Sequence, residues 1–568
     1  MAQEPVIDFI LALPLVLWRG VSYGHVQGRA LLARLAVTLS LLTPRPILPP
    51  ALISLFIDTL ATRDLRGLLG SPHRMDGLVD KGAQYLMMGL GARTSEQRIV
   101  VLNTLIAYLL LFANIKDFQW GPKHRAEATL GNPLYYGSYS SISSLLALGL
   151  PGWGKLLAGP LALGTVLSGS RAPLAATGAG LLAYAASERR ARKPILGALA
   201  LVAGAAVALK LLQRRDLNPK KTVISRFIVT GDFNARHAFW KAAIKAWRAK
   251  PLLGWGLGSY ENLFHAYGDP QIIYRSHYET WPDKAHNTYL DKLAESGVVG
   301  LGAHLLVRAL AIWRATPHVR AALVASMVQD AFFFPHPSTA HLDAVLTGRS
   351  LGRAGRKRSS LPGLIGSLPL AILTLFGARR IKDEQRAARA VSLLQQGRHA
   401  EANESLRRIR SGIDVRPLLG MRLGTETLEL LDAILDQTDA ENPKDAKRRY
   451  IHAGFLDLNN FKKEKAGEIY KCALELAPTK IPILLDYGSY LDSIGDVVGA
   501  EAQFAYAKTI APELGETLWR YGLHLATYGK REKSGAEMLV QAVENVKYKY
   551  KPVSSGDIHI YETAKSLL

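Results

Sequence analysis

One cysteine, Cys472, among 568 residues leaves no way to close an intrachain disulfide. Zinc-ligand spacing is absent, as is any RNA-binding sheet motif. The glycine-rich run Pro251-Leu252-Leu253-Gly254-Trp255-Gly256-Leu257-Gly258-Ser259-Tyr260 lacks the Lys-Ser/Thr ending of a nucleotide-phosphate loop. It reads instead as a turn that lets backbone pack closely. Acidic residues are scarce relative to basic ones, 47 against 70, giving a net charge of +23. That excess fits an anionic membrane surface or an anionic substrate. With no nucleic-acid motif beside it, a nucleic-acid partner is disfavoured. The N-terminus shows no cleavable signal pattern, since Glu4 precedes the first apolar run and no small-residue site follows it cleanly. The first helix is expected to act as an uncleaved anchor.

Mean hydropathy is nonetheless slightly positive, +0.07, although 21% of residues are charged. The apolar residues are concentrated before residue 378 and the charges after it. This shift predicts an all-α chain: a polytopic transmembrane helix bundle followed by a soluble α-solenoid. Apolar stretches recur from residue 5 to 377, several shorter than the roughly 20 residues a span needs. Pro44, Pro46, Pro49 and Pro50 break the second one. Basic clusters at Arg189 to Lys193 and Arg356 to Arg358 lie between stretches, as cytoplasmic loops do. If the first is cytoplasmic, the polar interval 213–295 lies on the outer face, although Arg214, Arg215, Lys220 and Lys221 begin it. The expected organisation is therefore N-terminal membrane helices (1–212), a large external loop (213–295), C-terminal membrane helices (296–378) and a repeat domain (379–568).

The repeat is explicit. Gly454, Gly488 and Gly522 keep a step of 34 (488 − 454 and 522 − 488), as do Ala466 and Ala500, Tyr470 and Phe504, and Pro478 and Pro512. That period is the tetratricopeptide one, a pair of antiparallel helices per unit. Small residues let the helices approach, and the proline ends the second helix.

Three positions invite chemistry. His286 lies in the polar run Trp281-Pro282-Asp283-Lys284-Ala285-His286-Asn287-Thr288-Tyr289-Leu290, just before an apolar helix. An imidazole can take a proton from an alcohol near neutral pH; the plainer reading is a histidine that caps the helix or is hydrogen-bonded in the loop. Ser170-Arg171 stands where one apolar stretch ends and the next begins. Its guanidinium would grip a phosphate in a fork, or simply snorkel to headgroups. Arg236-His237-Ala238-Phe239-Trp240 opens an amphipathic stretch that reads as a helix on the membrane interface, with Arg236 able to point into a site.

In order and spacing, these elements resemble the O-antigen ligase and polymerase superfamily, in its variant with a C-terminal tetratricopeptide tail. The resemblance runs over about residues 70–335. It takes in Arg74-Met75-Asp76-Gly77-Leu78, Thr129-Leu130-Gly131-Asn132-Pro133, Ser170-Arg171, Arg236 to Trp240, Pro251 to Gly256, Asp283 to Leu290 and Gly297 to Leu301. It implies transfer of a glycan from an undecaprenyl-diphosphate carrier to an acceptor hydroxyl on the outer face of a bacterial cytoplasmic membrane, in lipopolysaccharide or polysaccharide biosynthesis, with neither metal nor cofactor. His286 matches the family's histidine, which would activate the acceptor. Arg171 and Arg236 match its diphosphate-holding arginines, with Asn287 and Ser170 in support. The acceptor would be lipid A core, a growing chain or a protein Ser/Thr, and the tail favours a large or proteinaceous one, since such arrays bind polypeptides. The competing reading is a non-catalytic membrane-anchored scaffold whose repeats recruit partner proteins. A transporter would need ionisable residues at helix centres, where beyond Arg308 few are evident.

Overall fold

A computed structural model describes residues 4–15, 24–39, 45–46, 49–62, 68, 77–117, 126, 128–212, 233–274, 280–352, 358–359, 379, 382–410, 416–418, 421–528 and 531–568. The apolar stretch 361–377, Arg74 to Asp76, the basic residues 214–221, and Arg356 and Lys357 lie outside them. Regular structure among the described residues is helical, apart from a two-residue antiparallel ladder pairing Arg45–Pro46 with Arg358–Ser359 and an isolated bridge between Leu514 and Tyr548. The all-α class is therefore observed. The chain forms two compact units: Met1–Gly231, Ala246–Ser259 and Lys284–Lys382 in one, and Asp232–Lys245, Tyr260–Asp283 and Asp383–Leu568 in the other.

In the first unit the proline-rich break falls as expected, between the helices Gly24–Leu39 and Pro49–Leu60. Helices Leu78–Gly91 and Pro337–Gly352 meet backbone to backbone. A Cβ on Gly91 would lie 2.1 Å from the Val345 carbonyl oxygen, and one on Gly348 1.9 Å from that of Met88. Small residues at such a contact allow the close approach that helix pairs in apolar surroundings rely on. Among the described residues two helices are long and apolar enough to cross a membrane, Glu96–Asn114 and Thr288–Arg314. On the former, Val101, Leu105, Leu109 and Phe112 are all exposed. They fall within a sector of about 80° at 100° per residue, a continuous apolar stripe of the kind that marks an interaction surface.

In the second unit the 34-residue period appears as three successive helix pairs: Ala446–Leu458 with Lys463–Leu476, Ile481–Ser493 with Val497–Ile510, and Gly515–Thr527 with Glu532–Glu544. The repeated glycines are where the two helices of a pair touch. A Cβ on Gly454 would meet the Tyr470 hydroxyl at 3.7 Å, and one on Gly488 the Phe504 ring at 2.8 Å. Tyr470 and Phe504 are themselves 34 apart (504 − 470), so one contact is reused in two pairs. Gly488→Leu is expected to destabilise this unit by about 1–3 kcal/mol through overpacking, while Gly454→Ala costs less than 1 kcal/mol, about the level of a small surface change. Thermal unfolding of the purified full-length protein in detergent separates the two.

A charged knot joins the first pair to the preceding helix Thr425–Glu441. Both ring nitrogens of buried His452 meet carboxylates, Nδ1 at 2.8 Å from Asp439 and Nε2 at 2.9 Å from Asp432. Lys462 and Lys465 donate to Asp432 at 2.8 and 2.6 Å, and Lys465 also donates to Asp436 at 2.8 Å. Asp432, Asp436 and His452 cluster tightly enough to suggest metal ligands. Their oxygens already take ammonium hydrogens, however, so this donor set fits a lysine–carboxylate knot better than a cation site. Burial raises the Asp432 carboxyl, but hydrogen bonds from Lys462, Lys465 and His452 outweigh it and hold it down at about 2. A carboxyl depressed below its unfolded value of about 3.9 stabilises the fold above that value. The contribution is lost as pH falls through the folded value. The gap in unfolding temperature between wild type and Asp432→Asn should be full above about pH 5 and close toward about pH 2.

Candidate active site

The segment carrying His286 is fixed from three sides within the first unit. Asp291 reaches back to accept the Ala285 amide at 2.7 Å. Asn287 caps the following helix, its side chain accepting from Tyr289 N at 3.0 Å and Leu290 N at 3.1 Å. Thr288 Oγ1 donates to the Phe333 carbonyl at 3.0 Å and lies 3.3 Å from Asp330 Oδ1. The helix cap thus belongs to Asn287, not to His286. Between these ties His286 adopts φ +55°, a left-handed conformation. For a residue other than glycine that costs of order 1–2 kcal/mol and persists only where the surroundings dictate it. The ring is half-buried, 5.2 Å from that of Phe334.

The helix that follows, Thr288–Arg314, is broken at Gly297 (φ 66°, ψ −169°). Breaking a helix frees carbonyls on one side and amides on the other, and all must find partners. The glycine-rich run supplies them. Trp255 N and Gly256 N donate to the carbonyls of Ala294 (3.0 Å) and Glu295 (2.8 Å), and Val298 N and Val299 N donate to those of Pro251 (2.9 Å) and Leu252 (3.3 Å). Gly254 and Gly297 stand at the contact with φ of +63° and +66°, and a Cβ on either would lie within 2.6 Å of the opposing backbone. The close-packing turn read from the sequence is therefore present, and its partner is the helix carrying the His286 loop.

A chain of contacts leads from His286 to Arg171. Phe334 lies 6.5 Å, ring to ring, from Tyr135. Two residues on, a Cβ at Gly137 would strike Ser168 and come within 3.3 Å of Pro173. Ser168, Gly169 and Ser170 form the turn from which Arg171 starts the helix Arg171–Ser187. Ser170 is buried, its amide donating to Ser168 Oγ at 3.2 Å, whereas Arg171 is exposed. Gln329 Nε2 reaches the carbonyl of Ser138, next to Gly137 on the helix Pro133–Ala147, at 3.4 Å, and at the other end of Pro317–Asp330 Arg320 donates to Ser187 at 2.7 Å. The helix Pro317–Asp330 therefore runs antiparallel to Arg171–Ser187. Arg171 lies at its Asp330 end, where Thr288 is tied. The structure thus brings the Ser170-Arg171 turn and the His286-Asn287 loop to one end of the first unit.

Arg236 is half-buried on the helix Phe233–Ala249, in the part belonging to the second unit. This helix was expected to lay its apolar face on a membrane surface. Instead Ala238, Phe239, Ala242 and Ala243 are buried. Phe239 packs 5.5 Å from Phe264, and its carbonyl accepts the Tyr260 hydroxyl at 2.8 Å. Protein covers the face assigned to lipid.

Sequence reasoning missed a charged cavity of about 180 Å³ in the first unit, bordered by Asp58, Lys284, Lys292, Glu295, Arg308 and Asp330. Lys284 and Thr288, which flank His286, line it, as does Phe334; His286, Arg171 and Arg236 do not. Three ion pairs lie in its wall: Lys284 with Glu295 at 3.3 Å, Lys292 with Asp58 at 3.2 Å, and Arg308 with Asp343. Arg308 therefore has company among ionisable side chains within the bundle, contrary to the sequence reading. The available signal was Lys292 and Glu295 at the start of an apolar helix, where a charge demands a partner.

Comparison with known proteins agrees with the resemblance drawn from the motifs. The O-antigen ligase family matches residues 156–305, a segment containing Ser170, Arg171, Arg236, His286 and Asn287. No curated protein matches the chain. A solved structure titled MamA MSR-1 C2 aligns at 19% identity over 28% of this chain and 97% of that one, with a TM-score of 0.21, a likeness too slight to speak to fold or function.

Proposed function

We propose, from the match of residues 156–305 to the O-antigen ligase family, that the protein transfers a glycan from an undecaprenyl-diphosphate carrier to an acceptor hydroxyl at the outer face of a bacterial cytoplasmic membrane. The family match carries the reaction class. What supports His286 as the base is the three-sided fixation of a strained, non-capping histidine at the same end of the first unit as the Ser170-Arg171 turn. His286 takes the proton from the acceptor hydroxyl, and the acceptor oxygen bonds to the anomeric carbon. The bond from that carbon to the diphosphate oxygen breaks, and its electron pair leaves on undecaprenyl diphosphate. Arg171 stabilises the growing negative charge as a positioned donor. Arg236 is a second diphosphate ligand on the strength of the motif match alone. Asn287 and Ser170 position His286 and Arg171 through the cap and the turn. No step calls on a metal or cofactor.

The exposed apolar stripe on Glu96–Asn114 and the exposed Leu305, Leu306 and Trp313 on Thr288–Arg314 support a multi-pass membrane location. The helix pairs at 446–544 support a tetratricopeptide-like solenoid in the tail.

Arg171→Ala is expected to lower the transfer rate about 100- to 1000-fold, the usual cost of removing one charge-stabilising donor. Transfer from a purified lipid-diphosphate glycan to lipid A core, a glycan chain and a protein acceptor checks this. An Arg171→Ala protein as fast as wild type would remove the diphosphate role.

A further inference from the structure

The segment Tyr260–Asp283 falls in the second unit, with the repeats, rather than with the bundle. Its described residues, 260–274 and 280–283, meet successive repeats in reverse chain order. Trp281 stacks on Tyr450 of the first repeat pair, with ring centroids 5.9 Å apart and planes 28° apart. Lys480, in the turn into the second pair, donates to the Thr280 carbonyl and sets its ammonium 4.4 Å over the Trp281 ring. Glu513, in the turn into the third pair, donates its amide to the Tyr274 hydroxyl at 3.0 Å. Tyr548, beyond that pair, sets its ring 4.9 Å from that of Tyr274, tilted by 33°, and donates to its carbonyl. Ile273 is buried in the hydrophobic core of the repeats. Tyr450, Lys480, Glu513 and Tyr548 recur at about the repeat period, so successive repeats each hold a point on one segment.

We propose that the repeat array is an intramolecular docking platform whose occupants are the chain's own residues 260–274 and 280–283. The array then lies on the same side of the membrane as that segment, and it positions the strand of chain that reaches His286 five residues after Trp281 (286 − 281). Docking stands on the contacts alone, and sidedness on those contacts together with the proposed membrane location. The positioning role rests on the transferase reading.

Three measurements on the full chain test this, in a Cys472→Ser background that leaves no other thiol. First, Tyr274→Cys combined with Tyr548→Cys should be joined by a short bifunctional maleimide into one intramolecular product identifiable by peptide mass; no such product overturns the docking. Second, single cysteines at exposed Gln271 and at Val498, 83% exposed on the array, should both react with a membrane-impermeant maleimide in intact spheroplasts. Val498→Cys reacting only after permeabilisation, with Gln271→Cys reacting before it, overturns the shared side. Third, Trp281→Ala combined with Tyr274→Ala should make residues 260–283 protease-sensitive and lower transfer at least tenfold. Transfer unchanged in that variant overturns the positioning role while leaving the transferase reading intact; transfer absent from wild type as well would fault that reading alone.

Discussion

His286→Asn is expected to lower glycan transfer by about 100- to 10,000-fold, the range a positioned general base contributes, with no loss of folded protein. The choice of asparagine matters. His286 sits at φ +55°, and asparagine is among the residues that tolerate that conformation best. The substitution therefore removes the base while leaving the backbone as it was. His286→Ala removes the base but keeps the backbone strain, so any stability lost by alanine and kept by asparagine measures the conformation rather than the chemistry. The flanking ties from Asp291, Asn287 and Thr288 do not pass through the imidazole, and they should keep the loop in place in both variants. Unfolding temperature in detergent and transfer rate, read on one preparation, separate the two effects. A scaffold protein with a structural histidine would show the opposite order: normal surface glycan in His286→Asn, and a defect on deleting residues 440–568.

Gly297→Val should abolish accumulation of folded protein. At φ 66°, ψ −169° the backbone occupies a region open essentially to glycine alone, costing about 1–3 kcal/mol for any other residue. A Cβ there would lie 2.1 Å from the Leu252 carbonyl oxygen and 2.6 Å from Leu253 N. Neither can yield, because both belong to the turn that satisfies the broken helix. Overpacking adds about 1–3 kcal/mol, so the total approaches a large share of the 5–15 kcal/mol that typically separates folded from unfolded protein. Gly254→Val strikes the same contact from the other side, 2.5 Å from the Glu295 carbonyl carbon, and should behave alike. Gly302, with open space around its Cβ position, is the control: Gly302→Ala should accumulate normally. The check is the amount of monodisperse protein extracted from membranes.

These two predictions mark what the chain made legible and what it hid. The 34-residue period was readable because a helix-pair repeat reuses the same contact, and Gly488 against Phe504 shows the contact being reused. The close-packing role of Gly254 was readable from composition; its partner at Gly297 was not, because the two segments are joined by backbone hydrogen bonds that leave no mark on residue type. His286 and Arg171 were singled out by their motif resemblance to the family, and the contacts through Phe334, Tyr135 and Gly137 that bring them to one end of the first unit came only with coordinates. The cavity was invisible because Asp58 and Lys292 are 234 positions apart, and nothing local pairs them. The Phe233–Ala249 helix was assigned to a membrane surface because amphipathicity shows that a face must be covered but not by what.

The reaction itself is tested most directly by incubating purified wild type and His286→Asn with an undecaprenyl-diphosphate glycan and each of the three acceptor classes, and following undecaprenyl diphosphate released together with glycan transferred. The expected result is coupled release and transfer by wild type with one acceptor class, reduced by at least about 100-fold in the variant. Equal transfer by both proteins, or none above a protein-free control with any acceptor, would contradict the assignment.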